Sequence, residues 1–348
     1  LIEIHNRPYY LKYLEKSLNN RNYTLFFHND PLFMEGSKSI DDRKFLLTKC
    51  HRIIFNSNWS KKRFLEGLPN KFINSDKLLV CFQSAKKGQI KNIKNKKKWI
   101  TFVGKLNKAK GYDIFGEAII NILKKNKYWR AKVVGDEKRE KIVIKHKNID
   151  LLGFTEHKKV LNLFKNSSIA VVCSRWDEPF GRTSLEAAAN GCAVVISNKG
   201  GLPETVTNSI ILQNLNSKEL EKKISYLINN EEKRIQLQQL SIKNFYLTHE
   251  YVANLLDSYR SNKFGKIYPF FTKKKKLPLR ILHITNFNER LDGRLFFNTG
   301  RRINNGFIRL GHSVLGFSDR DITKYYKSFS DLSGSDILND KLKKTCFN

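Results

Sequence analysis

The stretch IAVVCSRWDEPFGRTSLEAAANGCAVVIS, residues 169–197, decides the fold prediction. Its two apolar runs, IAVVCS (169–174) and AVVIS (193–197), have the length and composition of buried strands. Between them lie a loop containing Pro179 and a helix-length segment that begins near Gly181. A strand, a loop, a helix and a second strand in this order predict a parallel β-α-β unit that is covered on both faces.

The same alternation extends toward the N-terminus. Three strand candidates precede the deciding stretch, and each is followed by a helix-length segment: WITFVG (99–104), AKVVG (131–135) and IDLLG (149–153). An earlier block alternates in the same way, with strand candidates LIEIH (1–5), TLFFH (24–28) and RIIFNS (52–57). The chain is therefore predicted to be an α/β protein whose ligands bind at the carboxyl ends of parallel strands.

Two breaks in composition divide the chain. The first is the basic stretch KKGQIKNIKNKKK, and the second, SNKFGKIYPFFTKKKKLP, contains four consecutive lysines at 273–276. We therefore expect five segments: a partial Rossmann-like domain at 1–85, a basic linker at 86–98, a second Rossmann-like domain at 99–260, a linker at 261–278 and the incomplete start of a further α/β domain at 279–348.

The charge of the chain is strongly positive. Lys and Arg total 65 against 32 Asp and Glu, which gives a formal net charge of +33. Such a field attracts nucleotides, nucleic acids or anionic lipid headgroups. A general enrichment in Lys, Asn and Ile accounts for part of this charge, so the charge alone selects no partner. The sequence contains no run of about 18 apolar residues that would predict a transmembrane helix.

Isolated thiols and scattered carboxylates predict no metal centre and no bound cofactor. The five cysteines form no Cys-x-x-Cys pair, which favours a reduced, cytoplasmic protein: Cys50, Cys81, Cys173, Cys192 and Cys346. Asp136 and Glu137 are expected to be ordinary loop residues. The Asp319-Arg320-Asp321 triplet is expected to be a solvated turn.

Glu178 and Glu186 are the most informative acidic residues. They are eight positions apart, which on a helix spans at most about 12 Å, close to the distance from a sugar hydroxyl to the ribose of one nucleotide sugar. A carboxylate can accept two hydrogen bonds from a vicinal diol. The residues between them would present free N–H groups to a diphosphate at a helix start: Phe180, Gly181, Arg182 and Thr183. The alternative is a surface helix with two unrelated glutamates.

Two further loops are predicted to reach the same edge of the sheet. FVGKLNKAKG (102–111) carries Lys105 and Lys110, whose compact charges suit a leaving diphosphate. NKGGLPE (198–204) leaves backbone amides bare at Gly200 and Gly201. Taken alone, either loop also fits a lysine-rich turn or a plain tight turn.

Together, in this order and spacing, the segments FVGKLNKAKG, LLGFTEHKKVLNLFKNSSIAVVCS, EPFGRTSLE and GGLPE resemble the retaining GT-B glycosyltransferases of bacterial group 1 (family 4). The resemblance covers about residues 1–260 and implies two Rossmann-like, doubly wound parallel sheets that face a cleft, the N-terminal one truncated. It implies a hexosyl-type transferase that uses a nucleotide-diphosphate sugar, retains configuration and needs no metal.

The resemblance also assigns roles to single residues. Glu178 would meet hydroxyls of the donor sugar, Glu186 the nucleotide ribose, and Lys105 and Lys110 the diphosphate. Lys105 departs from the family, which usually has Arg there, and so loses the bidentate fork. The segment at Gly153 and Phe154 would flank the nucleobase.

The N-terminal block resembles the later part of the family's acceptor domain. His28 ends a strand where the family often has a histidine facing the donor sugar, and His5 ends the preceding strand. The early acceptor-domain strands are absent, and residues 279–322 resemble the opening of a second GT-B unit. We therefore expect a longer polypeptide with two units in tandem. The alternative is that the segment folds back onto the truncated acceptor sheet.

Alternatives to a transferase remain open. A sugar phosphorylase on the same fold would carry the same motifs. A basic nucleic-acid-binding protein is disfavoured because carboxylates occupy the predicted loops and would repel phosphates. The expected partners are a nucleotide sugar and a glycan or lipid-linked acceptor, with peripheral contact to the anionic inner face of the membrane.

Overall fold

The computed structural model describes residues 2–18, 21–90, 92–261, 278–287 and 299–347. Most of the predicted linker at 261–278, including the four lysines at 273–276, lies outside these residues. The chain divides into two compact units. The first comprises Leu1–Ile54, Arg63–Leu79 and Arg260–Asn348, and the second comprises Phe55–Lys62 and Val80–Tyr259.

Strands and helices alternate along much of the described chain. The helix expected after AKVVG is wrong, because no helix lies between the strands Arg130–Val134 and Ile149–Leu151. The strands are β1 (Ile2–His5), β2 (Tyr23–Phe27), β3 (Cys50–Phe55), β4 (Leu78–Val80), β5 (Lys97–Val103), β6 (Arg130–Val134), β7 (Ile149–Leu151), β8 (Ser167–Val172), β9 (Ala193–Ser197), β10 (Ser209–Leu212), β11 (Arg280–Thr285) and β12 (Ser313–Ser318). The helices are α1 (Tyr10–Ser17), α2 (Ile40–Lys49), α3 (Asn58–Leu65), α4 (Tyr112–Lys125), α5 (His157–Asn166), α6 (Arg182–Ala189), α7 (Ser217–Asn229), α8 (Glu231–Lys243), α9 (His249–Ser261), α10 (Thr299–Arg309), α11 (Asp319–Tyr325) and α12 (Ser335–Phe347).

The first unit is built on a four-stranded sheet in the order β1-β2-β3-β4. β1 and β2 are parallel, with Ile2 opposite Tyr23 and His5 opposite Phe26. All five residues of β2 are buried, because this strand lies between two neighbours. The α2 helix begins at a capping box in which the Ser39 hydroxyl accepts the Asp42 amide at 3.0 Å. Local sequence signals therefore fix the start of this helix.

The C-terminal residues pack within the first unit. β11 and β12 form a parallel two-stranded sheet, with β11 beside β1 and α12 beside α1. The Asp319 carboxylate is 2% exposed and accepts from Arg7 Nε at 3.2 Å and from the Tyr10 hydroxyl at 3.2 Å. The expectation of a solvated turn at Asp319 is wrong, because the carboxylate is buried against these two donors. The grouping also differs from the sequence-based division, which set residues 279–348 apart.

The second unit contains a six-stranded sheet in the order β10-β9-β8-β5-β6-β7, and every neighbouring pair is parallel. Counted from β5, this is the doubly wound order 3-2-1-4-5-6. The apolar strands and one face of α4 form a continuous core, with Ile100, Phe102, Phe115 and Ile119 at most 2% exposed. In this topology the strand order reverses between β5 and β8, so the crevice at their carboxyl ends is the expected ligand site.

The predicted linker at 86–98 belongs to the second unit. Gly88 N donates to Ala189 O at 2.7 Å. The Lys96 ammonium nitrogen lies 2.8–3.0 Å from the backbone carbonyl oxygens of Phe164, Lys165, Ser167 and Asn190, which share its three N–H donors. Burial lowers the pKa of Lys96, and the four carbonyls partly offset that cost. This segment is thus hydrogen-bonded to α5 and α6 rather than standing apart.

Candidate functional site

The loops after β5 and β8 meet at the carboxyl edge of the second sheet. The amides of Arg175 and Trp176 donate to Ala109 O at 2.9 and 3.1 Å. Gly111 has φ +73°, and a Cβ there would lie 1.9 Å from Cys173 O, so the two backbones approach too closely for any side chain. The two loops are therefore in direct contact at the point where the strand order of the sheet reverses.

Lys110 and Glu178 form an ion pair at this contact. The Lys110 ammonium donates to Glu178 Oε1, and the side chains are 33% and 15% exposed. These two residues come from separate motifs that the sequence predicted to share one site. Lys105 is exposed, and its side chain makes no hydrogen bond or ion pair within the part of the chain that the structure describes.

The GGLPE turn lies against the backbone of Glu178. Gly201 N donates to Glu178 O at 2.6 Å. Gly200 has φ +57°, and a Cβ there would lie 2.3 Å from Glu178 O and 2.6 Å from Glu178 N. The turn therefore holds the main chain of Glu178 in place. Glu204, at the end of the turn, accepts from the amides of Asn58 and Trp59 at 2.6 and 2.7 Å, a contact that no sequence pattern predicts.

The α6 helix begins at Arg182, four positions after Glu178. Gly181 precedes it with φ +108° and provides no side-chain cap, so the first amides, those of Arg182 and Thr183, have no side-chain acceptor there. Phe180 is 1% exposed, and its ring stacks on Phe82 with centroids 5.7 Å apart. Phe180 thus anchors the loop in the core, and only its backbone remains for a ligand.

Glu186 lies in the next turn of α6 and is 8% exposed. Its Oε1 accepts from an Arg182 guanidinium nitrogen at 2.9 Å and pairs with His157 Nε2 at 2.9 Å. Both contacts fall on one carboxylate oxygen, which leaves Oε2 for a diol. Sequence reasoning missed His157. Its position at the start of the helix that follows Gly153 and Phe154 is the one signal that could have indicated it.

Gly153 and Phe154 lie after the edge strand β7. Gly153 has φ +60°, and its carbonyl accepts from Gly135 N at 2.9 Å. The Phe154 ring is 85% exposed, so it can stack on a planar ligand. Among the residues predicted for the site in the second unit, Lys110 and Glu178 are in direct contact. The start of α6 follows Glu178 in the chain.

His28 belongs to the first unit. It follows β2, and its Nε2 lies 3.1 Å from Nδ1 of His5. Burial, and then the neighbouring His5, lowers the pKa of His28 to about 3. The imidazole is therefore neutral near pH 7.

Within the described residues, no group of three His, Cys, Asp or Glu side chains could hold a metal ion. Glu137 is a loop residue that accepts from Asn107 Nδ2 at 3.0 Å and from Arg139 Nε at 3.1 Å. Within the described residues, every helix is too short or too polar to span a bilayer. That the protein uses no metal and no bound cofactor stays a prediction.

Comparison with known proteins finds similarity that centres on the second unit. Residues 83–243 match the family model described as glycosyl transferases group 1. Spore coat protein SA of Bacillus subtilis is 28% identical over 187 residues, which cover 48% of this chain and 50% of that protein. An uncharacterized glycosyltransferase of Methanocaldococcus jannaschii is 32% identical over 200 residues, 55% of this chain and 53% of that protein. The chain spans about half the length of these curated relatives.

The fold is also that of solved GT-B enzymes. The crystal structure of Anabaena HepE in complex with UDP superposes with a TM-score of 0.63 at 17% identity, covering 74% of this chain and 78% of that one. At this identity the similarity establishes the fold alone. The predicted α/β class and GT-B resemblance are confirmed.

Proposed function

We propose, from the match of residues 83–243 to the family model of group 1 glycosyl transferases, that the protein transfers a sugar from a nucleotide-diphosphate donor to a glycan or lipid-linked acceptor, with retention of configuration. The UDP bound to HepE supports a nucleoside diphosphate as the donor's leaving group. The name of the spore coat relative supports an acceptor at a cell or spore surface.

The main support for this proposal is the Lys110–Glu178 ion pair, which lies where the strand order of the sheet reverses. In sugar transfer, negative charge develops on the departing diphosphate and positive charge at the anomeric carbon. A cation and a carboxylate that are adjacent before reaction can stabilise both charges without moving far. Lys110 therefore binds the diphosphate, with Lys105 and the amides of Arg182 and Thr183 beside it, and Glu178 binds the sugar.

Glu186 binds the ribose of the same nucleotide. Its Oε1 is held by Arg182 and His157 at 2.9 Å each, which fixes the direction in which Oε2 accepts a diol. Gly153 and Phe154 flank the base, and the exposed Phe154 ring provides the stacking surface. We also propose that His28 takes part in the transfer of the sugar.

The proposal includes peripheral binding to anionic membranes at the cytoplasmic face. A cavity of about 620 Å³ beside α5 is lined by five lysines and one carboxylate: Lys86, Lys87, Lys158, Lys159, Lys165 and Glu156. Such a surface attracts anionic headgroups by about 1 kcal/mol per cation near the bilayer. Co-sedimentation with phosphatidylglycerol vesicles should fall in high salt and in a Lys158→Gln/Lys159→Gln/Lys165→Gln variant. Binding that is indifferent to both changes would contradict this part.

Donor hydrolysis tests the central activity. The full chain is incubated with a panel of nucleoside-diphosphate sugars, and release of the nucleoside diphosphate is followed. We expect one donor to be cleaved by the wild type and about 10²–10³-fold more slowly by Lys110→Ala. Phosphate-dependent release of a sugar phosphate from a glycan, in place of donor hydrolysis, would instead identify a phosphorylase. Lack of binding to every nucleoside diphosphate would refute the proposed donor site.

A further inference from the structure

The main chain that follows Glu178 is fixed at two successive carbonyl groups. Glu178 O accepts from Gly201 N at 2.6 Å, and Pro179 O accepts from the Ser57 hydroxyl at 2.6 Å. The ring of Pro179 restricts the φ angle between these two carbonyls, and the buried Phe180 ring anchors the next residue. The path of the backbone after Glu178 is therefore determined by partners from two other segments of the second unit.

The Ser57 hydroxyl has a defined direction. Ser57 and Ser60 are both fully buried. Ser57 Oγ accepts the amide of Ser60 at 2.9 Å, and the Ser60 hydroxyl donates to Asn56 Oδ1 at 2.8 Å. Because each hydroxyl has a single hydrogen, these shortest contacts assign the Ser57 hydrogen to Pro179 O.

Glu204 joins the same two segments. Its carboxylate accepts from the amides of Asn58 and Trp59 at 2.6 and 2.7 Å, and from Asn58 Nδ2 at 2.9 Å. These amides lie in the first turn of α3, where N–H groups have no partner within the helix and where the helix dipole stabilises a negative charge. Since Glu204 ends the GGLPE turn, it fixes the start of α3, and with it Ser57, against the turn that supports Glu178.

We propose that Ser57 and Glu204 are positioning residues of the transfer reaction, which hold the main chain of Glu178 so that its carboxylate faces Lys110 and the sugar. The inference rests on the proposed function, in which Glu178 binds the sugar. Both residues act through Glu178 and not by contact with the substrate. Loss of either leaves the Glu178 carboxylate present but displaced, and a displacement of about 1 Å can lower turnover by about 10²-fold.

Double-mutant cycles distinguish positioning from general stabilisation. Ser57→Ala and Glu204→Ala should each lower kcat for donor hydrolysis by about 10–10²-fold, with nucleoside diphosphate binding nearly unchanged. In a Glu178→Ala background the same substitutions should have little further effect, because the group on which they act is missing. Losses of equal size in both backgrounds, or no loss in the wild-type background, would overturn the inference.

Two control variants remove the same kinds of hydrogen bond elsewhere in the second unit. The Ser168 hydroxyl is buried and donates to Lys97 O at 2.7 Å near the amino end of β8. The Glu219 carboxylate accepts from the amides of Gln213 and Asn214 at 2.9 and 2.5 Å. Ser168→Ala and Glu219→Ala should lower Tm as the test variants do and keep kcat near the wild-type value. Equal losses of kcat in controls and test variants would mean that stability, not position, matters.

A crystal structure of Ser57→Ala separates this inference from the proposed function. We expect the Glu178 carboxylate to move away from the Lys110 ammonium. A crystal structure in which both groups and Pro179 O are unmoved would overturn the inference, whichever substrate the protein uses. Wild-type protein that hydrolyses no nucleoside-diphosphate sugar would refute the proposed function instead, because the crystallographic comparison requires no turnover.

Discussion

The Lys110 ammonium is hydrogen-bonded to Oε1 of Glu178, so a charge pair joins the loop after β5 to the loop after β8. Lys110→Ala removes the cation where diphosphate charge develops. We expect turnover to fall by about 10²–10³-fold, measured as release of nucleoside diphosphate. Lys108→Ala, an exposed lysine of the same loop, is the matched control and should keep turnover near wild type. Equal losses in the two variants would mean that general positive charge, not position, matters.

Glu186 and Glu178 are expected to differ in their kinetic effects. The ribose contact of Glu186 is the same before and during reaction, so Glu186→Ala should weaken nucleoside diphosphate binding by about 1.5–3 kcal/mol. The sugar contact of Glu178 strengthens as charge builds at the anomeric carbon, so Glu178→Ala should chiefly lower kcat.

Calorimetry with the nucleoside diphosphate and steady-state kinetics with the donor separate the two effects. Glu232→Ala, an exposed carboxylate at the start of α8, serves as the control for loss of one negative charge. If both site variants changed binding and turnover in the same proportion, the division of roles would be wrong.

Strong local patterns made most of the fold predictable. AVVIS was predicted as a strand and is β9 from Ala193 to Ser197. A short run of β-branched, apolar residues between Gly and Asn favours a buried strand over a helix. β4 and β10 were missed. They are three and four residues long, and such short strands are specified by pairing to a neighbour rather than by their own composition.

The candidate site divides in the same way. The sequence places Lys110 and Glu178 after strand ends and Glu186 after a helix start. Their order along the chain was therefore enough to predict that they lie at the carboxyl edge of the sheet. His157 was missed because its partner Glu186 is 29 residues away, and no periodicity links them. The burial of Asp319 against Arg7, 312 residues earlier, was equally beyond local patterns. The tandem arrangement of two units stays a prediction.

Gly200→Ala tests the turn that supports Glu178. The φ of +57° and the approach of Glu178 O to 2.3 Å of a Cβ leave no space without a backbone shift. The left-handed backbone alone costs about 1–2 kcal/mol, and in a domain of this size each kcal/mol lowers Tm by about 2–4 °C. Turnover should fall further than Tm alone explains, because Glu178 moves with the turn.

Gly306→Ala is the contrasting substitution. Gly306 lies within α10, where a Cβ would meet nothing within 4 Å, so alanine should stabilise the helix by about 0.5–1 kcal/mol. Thermal unfolding of both variants, with donor hydrolysis, provides the measurement. A Gly200→Ala protein with wild-type Tm and turnover would contradict the described geometry.

Asp319→Asn tests the packing of the C-terminal residues in the first unit. The buried carboxylate accepts hydrogen bonds from Arg7 and Tyr10. Burial is the main cause that raises the pKa of Tyr10, and the charge of Asp319 raises it further. Replacing the carboxylate should cost about 1–3 kcal/mol and increase proteolysis between β11 and α12. Asp340→Asn, an exposed residue of α12, is the control. Unchanged cleavage in Asp319→Asn would mean that other contacts hold this segment.

Acid is expected to destabilise the first unit through His28. Its pKa is lowered from 6.5 to about 3 because burial disfavours the imidazolium, with His5 adding to the effect. Between these values the unfolded chain binds a proton and the folded chain does not. The stabilisation is therefore complete above pH 6.5 and declines as the pH falls toward 3, by at most about 1.4 kcal/mol per pH unit. Glu3, whose pKa is lowered from 4.5 to about 2, adds a further loss of stability only below pH 4.5.

Chemical denaturation across this range should show a shallower pH dependence of the free energy of unfolding for His28→Gln than for the wild type. Parallel curves for the two proteins would show that His28 is not held neutral in the folded state.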